Sequence, residues 1–430
     1  MKTIVTLVLT ICTSVLAQTE DLNSIEVVEM FRAETPEELE ASLTDGYPIP
    51  WLEEILNDES IPEEDRYWLD CRVRAVIAQD LHLFFDREGN QVHIDADWIF
   101  PGEDYWRENF IVNPPGEPFH YDSPDMPTNV VSEPGYVVNR FGETIGQLAM
   151  AEDYIRLSRD GLIGVTGSDL SSTDPDYPIT YDNACILYAD GSFKEVTAPW
   201  SYRRNYSISG DGNTIAVTSK LLASESSPRE PGATLWVLNR DGSVRLTYDI
   251  HGIKYIKWPL VSNNGSYIVV FNGNYEEERE VTLFDGNTGE ILKHFMDLWG
   301  GQFFFTPNER YLCIYAGSPQ TVTLYDCQSN TEIVSRESIY GDYSGLRFPN
   351  CDNEAKYALV SACISPTHHI YNAHLFDFDH DDVKITESTP KIAHISPRAS
   401  FTLMQMNTIW QIGPQDKSLP LVVSRLTGGE

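Results

Sequence analysis

Positive charge is scarce in this chain. Only 30 Lys and Arg stand against 65 Asp and Glu over 430 residues, a formal net charge of −35. Such a surface repels phosphate backbones and anionic lipid, so neither nucleic acid nor a membrane surface is an expected partner. Cationic and neutral partners remain, and the same acidity also fits a saline or acidic-proteome habitat with no partner behind it. Long apolar runs are absent too, apart from Ile4–Val15 near the N-terminus; no later stretch is long enough to span a bilayer. The familiar catalytic phrases are missing: there is no G-x-S-x-G elbow, no H-E-x-x-H, no phosphate-binding glycine loop and no paired C-x-x-C. A carboxylate pair, which meets only in three dimensions, is not addressed by that search.

The one apolar run follows Met1-Lys2 and ends in Val15-Leu16-Ala17. This is the layout of a cleavable signal peptide, so residues 1–17 are expected to be removed after Ala17 and the protein to be secreted or periplasmic. No cysteine follows the small residues, which argues against a lipid anchor there. Six cysteines remain after cleavage, too few and too scattered to form a framework. Cys327 and Cys351, in turns of successive repeats, are the expected disulfide if there is one; Cys71 and Cys185 read as buried thiols.

One phrase recurs seven times: an apolar run, a tight turn of the S-x-D-G kind, and another apolar run. The turns are Ser123-Pro124-Asp125-Met126, Ser158-Arg159-Asp160-Gly161, Ser209-Gly210-Asp211-Gly212, Ser262-Asn263-Asn264-Gly265, Thr306-Pro307-Asn308-Glu309, the degenerate Phe348-Pro349-Asn350, and Ser396-Pro397-Arg398-Ala399. A second hairpin with an Asp- or Gly-rich turn follows inside the repeats, as at Asn139-Arg140-Phe141-Gly142, Asp190-Gly191, Asp241-Gly242 and Asp285-Gly286. Four strands per unit result. Units too small to bury their own apolar faces must stack, and the pattern predicts a mainly β, seven-bladed propeller over 119–428, with six blades as the fallback.

Residues 18–118 read as a small helical N-terminal module ending in a Pro-rich linker. Thr35-Pro36-Glu37-Glu38 and Ser60-Ile61-Pro62-Glu63 each resemble a capped helix start. Leu69, Val73, Val76, Ile77, Leu81 and Phe84 form an apolar stripe that must be buried, Gly89 is expected to stop that helix, and Gln91–Ile94 reads as a short strand.

The S-x-D-G turns resemble those of the WD-repeat-like propeller superfamily, in particular its bacterial branch with S-P-D-G turns, over roughly Phe119 to Leu426. The resemblance implies the fold; across that superfamily it implies scaffolds, binders and occasional enzymes alike. The His and Trp-Asp pairs of the eukaryotic repeats are not present. Asp285-Gly286-Asn287-Thr288-Gly289 is similar to one repeat of quinoprotein propellers, but the downstream tryptophan is missing and no other unit copies it, so no cofactor is expected.

If these turns join the first and second strands, the insertions Ser168–Asp182, Leu221–Gly232, Asn272–Glu280 and Ile364–Asn372 fall between the second and third, at the opposite end. The connections between units share that end and are rich in aromatic and ionisable groups. From them Trp200, Tyr202, Arg203, His251, Trp258, Trp299, Asp342 and Tyr343 form the candidate ligand-binding set. Flat rings with polar edges suit a glycan or peptide, and arginine suits a carboxylate; wedging of rings between blades is the competing role. His368 to Asp382 and Glu276 to Glu280 gather metal-capable groups but lack a calcium loop's glycine and spacing, so no metal is expected. The expected function is non-catalytic binding or scaffolding of an exported protein, peptide or glycan. A hydrolase or lyase with carboxylates at the channel mouth is the alternative, and partner capture by the N-terminal helix stripe is a third.

Overall fold

The computed structural model describes residues 25–31, 49–96, 98–101, 108–113, 135–149, 155–167, 184–196, 204–221, 232–250, 255–256, 259–273, 279–296, 302–316, 321–337, 347–365, 370–378, 382–386, 390–406 and 421–426. Strand β1 (Ile25–Phe31) precedes helices α1 (Ile49–Leu56) and α2 (Glu63–Leu81) and a ribbon of β2 (Leu83–Phe85) and β3 (Gln91–His93). Thereafter strands come in groups. The first sheet is β4 (Trp98–Pro101), β5 (Asn109–Asn113), β6 (Gly135–Asn139) and β7 (Thr144–Leu148); the second is β8 (Arg156–Leu157), β9 (Ile163–Gly167), β10 (Ala184–Tyr188) and β11 (Phe193–Val196). The third is β12 (Arg204–Ile208), β13 (Thr214–Leu221), β14 (Gly232–Asn239) and β15 (Val244–Ile250). In the fourth, the first strand is split into β16 (Tyr255–Ile256) and β17 (Leu260–Val261), followed by β18 (Tyr267–Gly273), β19 (Arg279–Asp285) and β20 (Ile291–Phe295). The fifth is β21 (Gln302–Phe305), β22 (Tyr311–Ala316), β23 (Thr321–Asp326) and β24 (Thr331–Glu337), and the sixth β25 (Arg347–Cys351), β26 (Tyr357–Ser365), β27 (Ile370–Asp377) and β28 (Asp382–Thr386). The last is β29 (Pro390–Ile395), β30 (Phe401–Met406) and β31 (Leu421–Leu426), and its fourth strand is β1, antiparallel to β31 with Ile25 opposite Leu426 and Phe31 opposite Leu421. The fold is mainly β and propeller-like.

This strand order redraws the boundary expected at residue 119. The first sheet already begins at Trp98, and β1, from the opposite end of the supposed module, completes the last sheet. The turn expected at Ser123 lies outside the described residues, between β5 and β6 rather than between a first and second strand. The sixth turn is displaced as well. Phe348-Pro349-Asn350 is part of β25, where the register slips, and the turn is Asp352 to Ala355, with Asp352 Oδ1 receiving the Tyr357 N–H at 2.8 Å in the serine's place.

Elsewhere the turn phrase works as its chemistry dictates. The hydroxyl of Ser209 donates to Asp211 and receives the Thr214 N–H at 3.0 Å, which pins the start of the second strand. Ser158, Ser262, Thr306 and Ser396 receive the matching N–H in their own turns. The fourth position needs positive φ: Gly161, Gly212 and Gly265 supply it freely, whereas Glu309, Ala355 and Ala399 adopt it with a Cβ at φ 62, 58 and 58°.

Each turn is also bonded to the next. Asn109 Nδ2 donates to Arg159 O, Arg159 N to Gly210 O, Asp211 N to Asn263 O, and Asn264 N to Glu309 Oε1. Asn308 N then donates to Asn353 Oδ1, and Asn353 N to Pro397 O. The chain of bonds passes from the last sheet to α2, where Asp65 receives the N–H groups of Arg398 and Ser400 at 2.7 and 2.9 Å. From α2 it returns to the first sheet through Asp70 and Arg140.

Helix α2 is therefore a structural member of the ring rather than an appendage. It is buried on all sides from Trp68 to Ala78. Ala75 and Ala78 pack with Phe84, Ile99, Phe110, Val112 and Val138 of the first-sheet side; Leu69, Val73, Val76 and Ile77 share a cluster with Phe401 and Leu403 of β30. Leu69, Val73, Val76, Ile77 and Phe84 of the expected stripe are buried in the protein's own core, so these residues present no surface to a partner. The helix start differs: Ser60 bonds Asp58 instead of capping, Pro62 precedes the first turn, and Glu63, Glu64 and Asp65 place negative charge at the helix N-terminus. The helix ends before Gly89, at Leu81, with His82 left-handed at φ 53°; Phe84 consequently sits in β2 and Gly89 in the following turn. Among the described residues no helix is long and apolar enough to cross a membrane.

Candidate functional site

The eight residues singled out in the sequence, Trp200, Tyr202, Arg203, His251, Trp258, Trp299, Asp342 and Tyr343, lie outside the described residues, as do residues 1–17. Their flanking strands locate them along the chain: 200–203 immediately precede β12, 258 precedes β17, 299 precedes β21 and 342–343 precede β25, each the first strand of its sheet. The second-to-third connections carry the long segments 114–134, 168–183, 222–231 and 407–420. The first-to-second connections of the second to seventh sheets are the tight turns described above.

At the tight-turn end the structure forms a cavity of about 650 Å³. Helices α1 and α2 supply Leu56, Glu63, Glu64, Arg66, Tyr67 and Asp70; the outer turn of the first sheet supplies Arg140 and the first turn of the second supplies Arg159. Asp70, 4% exposed, is its electrostatic anchor. Its Oδ1 receives Arg74 Nε and its Oδ2 receives Arg140 Nε, both at 2.7 Å. Arg74 also reaches the carbonyl of Phe85. Both carboxylate oxygens are thus held by guanidinium groups in a buried pair, an arrangement that fixes geometry more than it adds stability.

Tyr67 is the aromatic centre. Arg140 lies 4.8 Å and Arg159 5.7 Å from its ring. Its hydroxyl is bonded to Glu108 and Arg159, and burial, then the Cys71 thiol and Glu108, hold its proton more tightly than in a free tyrosine. Burial pushes the neighbouring Cys71 thiol up to about 12, so it is no nucleophile. Around Phe141, Arg74, Arg87 and Arg140 stack at 4.8, 4.3 and 4.6 Å, with Glu143 pairing Arg87. At the helix start, Glu64 is engaged by Arg398 and Asn353. Arg66 donates through Nη1 to the Leu56 carbonyl, but its buried Nε has no partner.

None of these residues was picked as a site from the sequence, since four separate elements bring them together; the one local sign was an arginine in the hairpin turn Asn139–Gly142. Among the described residues no group of three His, Cys, Asp or Glu could hold a metal, while His368, His369, 379–381 and 276–278 lie outside them. Cys327 and Cys351, the expected disulfide, are free and buried, as are Cys71, Cys185 and Cys313. The reason is packing: Cys351 faces Cys313 across the fifth and sixth sheets, while Cys327 joins a different apolar cluster. Asp285 receives the N–H groups of Asn287 and Thr288 and simply shapes a hairpin turn.

No family model matches this chain, and no curated protein does. Solved structures with similar folds include a eukaryotic initiation factor, 12% identical, with a TM-score of 0.47 over 75% of this chain and 74% of that one. An oligogalacturonate lyase from Vibrio parahaemolyticus is 9% identical, at TM-score 0.43 over 68% and 82% of the two chains. TolB from Acinetobacter baumannii is 14% identical, at TM-score 0.34 over 68% and 77%. At these scores they are likenesses of fold only, and the architecture rests on this chain's own strand pairing.

Proposed function

We propose that this chain is an exported, non-catalytic binding propeller of seven blades, closed by β1, that recognises a peptide, a glycan or another exported protein at its loop-rich end. The observation behind this reading is the asymmetry between the two ends. At one, five-residue turns are bonded to each other and to α2, leaving little backbone free. At the other, 114–134, 168–183, 222–231 and 407–420 emerge, together with the connections that carry Trp200, Tyr202, Arg203, His251, Trp258, Trp299, Asp342 and Tyr343. Variable loops on a rigid scaffold are where propellers place recognition. A non-catalytic role is favoured over a hydrolase or lyase because two of the three carboxylates at the described cavity are already engaged, Asp70 by two arginines and Glu64 by Arg398 and Asn353, and the third, Glu63, stands exposed at the rim. A general acid or base must be free to exchange its proton. Immobilised mature protein should retain a component of its own secretome or a glycan unchanged; recovery of cleaved products in place of an intact ligand would reverse the assignment to an enzyme.

A further inference from the structure

The cavity beneath α1 and α2 has hydrogen-bond donors to spare and few free acceptors inside it. Of its carboxylates, Asp70 and Glu64 are engaged, and Glu63 is exposed at the rim. Of its guanidinium groups, Arg66 keeps a buried Nε–H without a partner. Arg140 uses Nε on Asp70 and reaches Tyr67 with Nη1 at only 3.4 Å, so Nη2 has no partner among the described residues. A buried N–H left unpaired is costly, and a ligand that brings an acceptor recovers that cost.

We propose that this cavity is a second binding site, for a small molecule bearing one carboxylate, which Arg66 and Arg140 receive through their free N–H groups. Its volume of about 650 Å³ lies within the range of small-molecule sites. The planar guanidinium fork matches a carboxylate in two-point fashion. A multiply charged anion such as phosphate is disfavoured, because Glu63, Glu64 and Asp70 also line the cavity and repel added negative charge. Leu56 offers an apolar wall for the rest of the molecule. In a chain of net charge −35, a cavity in which three arginines balance three carboxylates is less negative than the protein as a whole.

The test uses the mature protein with benzoate, its neutral isostere benzamide, and inorganic phosphate, each followed by calorimetry or saturation-transfer NMR. Benzoate should bind saturably, with benzamide and phosphate at least tenfold weaker. Arg66→Gln should weaken benzoate at least tenfold, and Leu56→Trp, which fills the cavity without touching a charge, should abolish it. Equal binding of benzamide, tighter binding of phosphate, or unchanged benzoate affinity in folded R66Q or L56W would overturn the proposal. Should either variant fail to fold, the benzoate and benzamide comparison on the unaltered protein still decides it.

Discussion

Asp65, fully buried in the first turn of α2, receives the backbone N–H of Arg398 at 2.7 Å, and through that bond the helix takes the place of a sheet-to-sheet link in the chain of turns. The same carboxylate holds Ser400 N–H. Removing it leaves two part-buried backbone donors without that partner and breaks the polar link between α2 and the last sheet. Asp65→Ala should lower unfolding stability by about 2–4 kcal/mol and Asp65→Asn, which keeps one acceptor, by about half as much. Urea denaturation of the two variants measures both; equal stability of D65A and the parent would show that the link is decorative.

Strand β1 makes a second closure. Its pairing with β31 covers the edge that β31 would otherwise present. A chain truncated before Glu34 should lose on the order of 3 kcal/mol in cross-strand pairs and aggregate through the exposed β31. Light scattering and thermal melting report this. Deleting everything up to Phe110 would remove β1 to β4 and the start of β5 along with the helices, so it tests the fold and not the helices alone.

Strain at the fourth turn position is relievable. Ala355 and Ala399 hold φ 58° where Gly161, Gly212 and Gly265 hold 71, 69 and 76°. Ala399→Gly and Ala355→Gly should each stabilise by about 0.5–1 kcal/mol, the cost of a left-handed alanine less the extra freedom of an unfolded glycine. A fall in the melting temperature of either variant would contradict the assigned turn geometry.

Asp352 gives a pH signature. Burial raises its carboxyl to about 6, against the N–H groups of Tyr357, Lys356 and Glu354 that pull it down. The folded state therefore holds the proton more tightly than the unfolded chain, where the group titrates near 3.9. This contribution is fully favourable below about pH 4, is lost as pH rises towards 6, and leaves a buried charge above it. Asp352→Asn should flatten the difference in stability between pH 4 and 6 and be more stable than the parent at pH 7.5 by up to about 3 kcal/mol. Parallel denaturation curves at both pH values for variant and parent would refute the account.

Most of the architecture was legible because its turns carry their own chemistry. A Ser or Thr, an Asp or Asn two residues later and a glycine make a hydrogen-bonded corner, so the second, third and fourth sheets announce themselves; the fifth keeps Thr306 and Asn308 without the glycine, and the seventh keeps only Ser396 before its proline. The sixth was misplaced because Asp352 stands in for the serine and Ala355 for the glycine, which makes Pro349-Asn350 the louder local sign. The first was missed because the sequence between its first and second strands, 102–108, has no such phrase and its long second-to-third connection is rich in proline. Strand β1 was invisible for another reason: its partner lies at the far end of the chain, and Ile25–Phe31 contains no local sign of that pairing. The cavity at α2 is of the same kind, since Tyr67, Arg140 and Arg159 acquire meaning only once α2 is wedged between the first and last sheets.

The binding assignment is tested most directly by the double variant Trp200→Ala, Trp299→Ala in the ligand-capture assay. Capture by the parent should be lost in the variant, with a stability penalty below the roughly 3–5 kcal/mol that deleting a buried large aromatic carries. Undiminished capture, or unfolding of the variant, would contradict the account and make these rings part of the core.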